Sequence, residues 1–127
     1  MKLLLDTHVV LWWLRDDPRL GRRARSMIAG GNVEVLVSIA TPWEVAIKYR
    51  IGKLGETSAR VLDAIGQAGM TIVDIRAPHL HAVEALPKGH GDPFDHLILA
   101  QAIVEGASIM TQDRQMGDYG VPCIGVN

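Results

Sequence analysis

Four acidic residues, Asp6, Glu44, Asp95 and Asp113, stand where the pattern of the chain turns from strand to helix. Asp6 ends the apolar run Lys2–Leu5, and Asp113 follows the short apolar run 108–111. Glu44 falls in the first turn of the helix expected after the second strand. Asp95 holds the same first-turn place in a later helix, although no strand immediately precedes it. Ligand-binding groups of an open parallel sheet collect outside the carboxyl ends of its strands, so the four are expected along one edge. Unit charges brought within about 5 Å repel by roughly 3 kcal/mol per pair at an effective dielectric near 20. Protons or a cation must offset such repulsion. An oxygen-only, carboxylate-rich site suits Mg²⁺ or Mn²⁺, which keep several waters and coordinate substrate phosphates. The chemistry expected of it is phosphodiester hydrolysis by a metal-activated water.

Each acid also has a purely structural reading. Asp6 or Thr7 can cap the helix that follows. Glu44 completes the box Thr41-x-x-Glu44, with Thr41 as cap and Pro42 at the first helical position. Asp95 stands in the same relation to Asp92, and Asp113 can cap the segment 114–117. Acids at helix N-termini are worth a few tenths to one kcal/mol. Singly, each acid is explained by either reading. Their expected convergence favours a site.

The elements that must position them are legible as alternating patterns. Lys2–Leu5 and residues 33–38 read as strands, the second from its β-branched residues. Residues 70–75, 108–111 and 122–126 add three more. Helical periods fall at 8–15, 20–29, 41–49, 58–68, 78–86 and 92–105, with a small turn or helix at 113–119. Strands separated by helices imply right-handed crossovers and a mainly parallel sheet covered on both faces. The expected fold is a three-layer α/β/α sandwich, one domain over residues 1–127.

Composition narrows the function classes. With 48% hydrophobic and 21% charged residues the chain has the make-up of a globular protein. A net charge of -1 requires any basic footprint to be local, and one such excess exists in Arg15, Arg19, Arg22, Arg23 and Arg25. The one cysteine, Cys123, excludes an internal disulfide and a Cys-rich zinc site, and in VPCIGV it reads as a small buried hydrophobe. No apolar stretch reaches the length of a membrane span. The N-terminal run is interrupted by Asp6 and His8 with no small-residue cleavage site after it. The expected location is cytoplasmic.

The segments LLLDTHVVLWWL (3–14), TPWEVAIKYRIGKL (41–54), GDPFDHLILAQA (91–102) and MTQD (110–113) resemble, in order and spacing, the PIN-domain family, and within it the VapC-type toxins of bacterial toxin–antitoxin pairs. The resemblance runs the whole chain. It implies a Mg²⁺/Mn²⁺-dependent endoribonuclease, usually a homodimer, inhibited by a small antitoxin encoded beside it. The family's acidic, metal-holding and catalytic positions map onto Asp6, Glu44, Asp95 and Asp113, with Asp92 an accessory acid and Thr111 a polar neighbour. The residue after Asp95 is His96, where such sequences commonly carry Arg, so a titratable imidazole replaces a fixed cation. Lys48 and Arg50 are possible RNA contacts, as is His96.

Other groups compete for attention. His79, His81 and His90 raise a zinc reading, but their spacing is loose. Trp12 and Trp13 can stack on bases, yet neighbours on a helix point about 100° apart, so a core role for one and a packing contact for the other is favoured. A receiver or aspartate-based phosphatase with Asp6 as nucleophile is a second function class; it fits poorly, since Asp6 is followed by Thr7 and His8 rather than by another acid near the strand end. A non-catalytic module binding RNA or protein is a third, against which all four acids count.

Overall fold

The computed structural model describes residues 1–89 and 91–127. Five strands, β1 (Lys2–Leu5), β2 (Glu34–Ser38), β3 (Thr71–Val73), β4 (Ser108–Met110) and β5 (Cys123–Ile124), pair in the order β3-β2-β1-β4-β5. Every neighbouring pair is parallel. A parallel strand covered on both faces reads as an unbroken apolar run, and Leu3, Leu4 and Leu5 of the central β1 are fully buried. Strand alternation sends Leu3 and Leu5 into one core and Leu4 into the other.

Helices α1 (Thr7–Arg15), α2 (Arg22–Ala29) and α4 (Ser58–Gln67) cover the first core through Val9, Trp12, Ile28, Val61 and Ile65. On the other side α6 (Pro93–Glu105) inserts Leu97, Ile98 and Leu99, and α5 (Ala77–Ala85) packs on with Val83. Helix α3 (Ala40–Arg50) gives Ala40 to one core and Val45 to the other, and so bridges the two layers at the end of β2. The three-layer α/β/α architecture expected from the pattern is the one observed, with a sheet that is wholly parallel. Among the described residues no helix is long and apolar enough to cross a membrane.

The predicted start of α6 is found as written. Asp92 is its N-cap, Pro93 follows, and the Asp92 carboxylate accepts from the Asp95 N–H at 2.9 Å. The predicted start of α3 is not. That helix begins at Ala40, and no side chain caps it from the preceding position, Ile39. The Ser38 hydroxyl takes the Ala40 N–H at 3.0 Å, so the chain enters the helix one residue before Thr41 could cap it. Thr41 is fully buried and serves the site instead. Helix α2 starts at Arg22 rather than near residue 20, because Gly21 donates its N–H to the Val126 carbonyl at 2.7 Å. A Cβ at Gly21 would lie 2.7 Å from the Asn127 backbone, so only glycine admits this close approach. Cys123 is exposed rather than buried: β5 is the edge strand, and the buried apolar residues of this tail are Val121 and Val126 on either side of it.

Candidate active site at the carboxyl edge of the sheet

The chain leaves β1 through Asp6, whose N–H still pairs with the Met110 carbonyl of β4 at 3.0 Å. Its carboxylate is buried and held at both oxygens. Oδ1 accepts from the Thr7 N–H at 2.8 Å, and Oδ2 accepts from the Thr111 hydroxyl at 2.7 Å. The Thr111 oxygen in turn accepts the Asp113 N–H at 3.0 Å. The capping reading of Asp6 is therefore correct, and it coexists with a fixed position at the strand end. Asp113 caps the 3₁₀ turn Arg114–Tyr119 through an Oδ1 contact to the Gln115 N–H at 2.9 Å.

Glu44 is fixed by a second set of contacts. The Thr7 hydroxyl donates to its Oε1 at 3.1 Å, and Lys48 one turn on donates to its Oε2 at 2.7 Å. A threonine has one hydroxyl proton. With that proton on Glu44, the Thr41 hydroxyl 3.1 Å away is the donor to Thr7. A chain of hydroxyls thus runs from Thr41 through Thr7 to Glu44. Thr7 joins the candidate site without being singled out by the sequence; the signal for it is its place directly after the strand-terminal acid.

The electrostatics tie three of these elements together. Burial pushes the Asp6 carboxyl up, against the hydrogen bonds from Thr111 and Thr7. Asp95 is pushed up to about 6, first by burial and then by the negative charges of Asp92 and Asp6, with Glu44 adding to them. Lys48 is raised by its bond to Glu44 and, further off, by Asp92 and Asp95. Asp6 at the end of β1, Glu44 on α3 and Asp92 with Asp95 at the start of α6 thus act on one another across three elements.

Asp6, Asp95 and Asp113 line one cleft of about 420 Å³, together with His8, Arg19 and Arg114. Glu44 opens on an adjoining cleft of about 280 Å³ with Lys48 and Lys53. Asp92 caps α6 and contributes its charge without lining either cleft. Among the described residues no three acidic, His or Cys side chains stand close enough to grip an ion directly. The oxygen-only donor set, in which Lys48 pairs directly with Glu44 and with none of the three acids of the other cleft, fits a cation that keeps most of its waters.

Of the possible RNA contacts, Lys48 lines the Glu44 cleft, whereas Arg50 and His96 line neither cleft. The His96 ring lies 5.9 Å from that of Tyr119. His79 is fully buried: its Nδ1 accepts the Arg76 N–H at 3.0 Å and its Nε2 meets Glu105 at 3.2 Å. It staples α5 to α6. His81 is exposed, and His90 lies outside the described residues. Trp12 enters the core, while Trp13 is half-buried against it. Within the arginine run, Arg15 is paired with Glu56 and Arg25 with Asp16.

A parallel sheet in this order, with acids of four elements gathered at its carboxyl edge, defines a PIN-type domain. The PIN domain family matches residues 3–122, and the chain belongs to that family. It is 30% identical over 123 residues to Ribonuclease VapC22 of Mycobacterium tuberculosis, covering 94% of this chain and 93% of that one. Among solved structures, the fold matches VapBC2 from Rickettsia felis bound to a DNA fragment from its promoter, with a TM-score of 0.77, 18% identity and full coverage of both chains. It also matches DNA-bound VapBC from Salmonella typhimurium, with a TM-score of 0.70, 16% identity and coverage of 100% of this chain and 99% of that one. The VapC-type resemblance of the four sequence motifs is borne out.

Proposed function

We propose that this protein is a Mg²⁺- or Mn²⁺-dependent endoribonuclease, the toxin of a toxin–antitoxin pair, acting in the cytoplasm as a homodimer. The observation that carries the reading is the cleft shared by Asp6, Asp95 and Asp113, with Asp6 locked between the Thr7 N–H and the Thr111 hydroxyl. RNA as substrate is supported by the likeness to a protein named as a ribonuclease. An antitoxin partner is supported by the VapBC complexes among the structural relatives.

Asp6, Asp95 and Asp113 are the residues that would hold the divalent ion, through water where they do not reach it. When bound, such an ion neutralises charge on the phosphodiester and supplies a nucleophilic water at neutral pH. The side chains of the protein do the rest. Thr7 and Thr111 fix both oxygens of Asp6, so that its lone pairs face the cleft without rearrangement. Glu44, oriented by Thr7 and Lys48, accepts a proton from the attacking water. Asp92 holds the first turn of α6 and with it Asp95. The phosphatase reading stays disfavoured because Asp6 is followed by Thr7 and His8 rather than by a second acid near the strand end.

End-labelled single-stranded RNA incubated with the purified protein is expected to yield internal cuts with Mg²⁺ or Mn²⁺ and none with EDTA. Undiminished cutting in EDTA would remove the metal from the mechanism. Measurable Mn²⁺ binding with no cutting of any RNA would leave a binding module in place of an enzyme. Thr111→Val keeps the side-chain shape and deletes the hydroxyl that positions Asp6. Loss of an outer partner of a metal ligand typically costs 10–100-fold, so a drop in kcat of at least about tenfold is expected. Unchanged kinetics would show that Thr111 does not position Asp6.

A further inference from the structure

Three clefts adjoin at this edge. The acidic one of about 420 Å³ lies between the Glu44 cleft of about 280 Å³ and a larger one of about 800 Å³ bounded by Gln112, Arg114 and the C-terminal residues. Among the described residues Arg19 is the one that lines all three. Its guanidinium is held rather than loose: Nε and Nη2 donate to the Asp17 carboxylate at 3.1 and 2.7 Å, and the plane stands 5.0 Å over the Trp12 ring. Trp12 is 4% exposed, so the platform is anchored in the core. The side chain above it is 63% exposed.

We propose that Arg19 forms a phosphate subsite beside the acidic cleft, binding a backbone phosphate of the RNA next to the one that is cut. The inference rests on the nuclease reading above and adds a binding residue to it. A guanidinium carries five N–H donors. Asp17 takes two, which leaves three for phosphate oxygens, already oriented by the pair and the ring beneath. Lys48 and Arg15 at these clefts are paired with Glu44 and Glu56, and Arg114 and Lys53 each border only part of the edge, whereas Arg19 borders all three clefts. A polyanion brought to the acids must pass positive charge on the way, and Arg19 borders the acidic cleft and both its openings. An RNA strand has to reach that cleft, whereas an acidic protein segment has no such requirement, and this favours RNA.

The test uses the full chain carrying Asp6→Asn, so that binding is read without cleavage. A fluorescein-labelled 12-mer oligouridylate is titrated in Mg²⁺ buffer by anisotropy at several salt concentrations. Arg19→Gln is expected to weaken binding by about tenfold and to lower the slope of log affinity against log salt by about one, the loss of a single phosphate contact. Arg19→Lys is expected to restore the slope and only part of the affinity, because an ammonium keeps the charge without the fork. Asp17→Asn keeps the Arg19 charge but loosens the pair that orients it, so it is expected to weaken binding with the salt slope unchanged, which gives a reading even if Arg19→Gln were to unfold. In the cleaving protein the loss for Arg19→Gln falls on KM rather than kcat. Affinity and slope unchanged in Arg19→Gln would overturn the proposal. So would unchanged RNA binding with lost binding of labelled polyglutamate, which would make the surface one for an acidic protein. Salt-dependent, Arg19-dependent RNA binding by a protein that cuts no RNA would sink the nuclease reading and leave the subsite standing.

Discussion

Asp6→Asn is expected to lower RNA cleavage by more than the roughly 10–100-fold typical of a lost outer-shell partner, with the fold intact. The asparagine retains the shape and one oxygen to accept the Thr7 N–H that starts α1, so the cap survives. It loses the charge at the end of β1, where Oδ2 is held by Thr111 and faces the cleft shared with Asp95 and Asp113. Because the Asp6 carboxyl is already pushed up by burial, removing its charge does not weaken the apo fold at neutral pH. Cleavage by single-turnover kinetics and thermal unfolding on the same preparation check both halves. Activity within tenfold of the parent, in protein freed of contaminating nuclease, would refute the assignment of Asp6.

Asp95→Asn is expected to move activity and stability in opposite directions. The Asp95 carboxyl has an ordinary value of 3.8 and is pushed up to about 6 in the folded chain, by burial and by Asp92, Asp6 and Glu44. Below about pH 4 it is protonated in both states, and the folded form keeps the full benefit of holding that proton more tightly. As pH rises from about 4 through 6 the folded chain must release the proton, and stability falls; above that window the loss is constant. The shift of about two units corresponds to about 3 kcal/mol at 1.36 kcal/mol per unit, and partial solvent screening at this half-buried group reduces it to about 1–2 kcal/mol. The neutral asparagine escapes this cost. In EDTA at pH 7.5 the variant is expected to melt a few degrees above the parent, with the gap closing by about pH 4. Added Mn²⁺ is expected to stabilise the parent more than the variant, since an ion binding only the folded form adds to its stability. A variant less stable than the parent in EDTA at pH 7.5 would show that Asp95 bears no uncompensated charge.

This expected pattern has a physical source in the division of labour along the edge. Glu44 has its own cation in Lys48 and its own hydroxyl in Thr7, so its charge is satisfied by the chain. Asp6 has two hydrogen-bond donors but no cation within bonding distance, and Asp95 has a cap partner and three carboxylates near it. Negative charge is therefore concentrated on the side of the cleft where Asp6, Asp95 and Asp113 meet. A polyanionic substrate would be repelled there unless a cation arrived with it or before it.

The amino-acid sequence by itself determined the elements and much of their order. An unbroken Leu3–Leu4–Leu5 run requires a strand buried on both faces, and Asp92-Pro93 with Asp95 dictates a helix start, because both depend on local backbone chemistry and pattern. The strand-end place of Asp6 follows from the same logic. Tertiary structure decided what those residues touch. Thr41 has the credentials of a helix cap, yet the Ser38 hydroxyl one turn earlier takes the role and sends Thr41 to Thr7. Cys123 sits in an apolar tail, but that tail forms the edge strand of the sheet, and the thiol is left exposed while Val121 and Val126 are buried. Thr111 meets Asp6 across 105 positions of sequence, a contact made by parallel pairing of β1 with β4 that no local period encodes. The four carboxylates themselves were legible as types at strand and helix ends. That Asp95 joins Asp6 and Asp113 in one cleft while Glu44 opens on the next, braced by Lys48, was settled only when the crossovers brought α3 and α6 to the same end of the sheet.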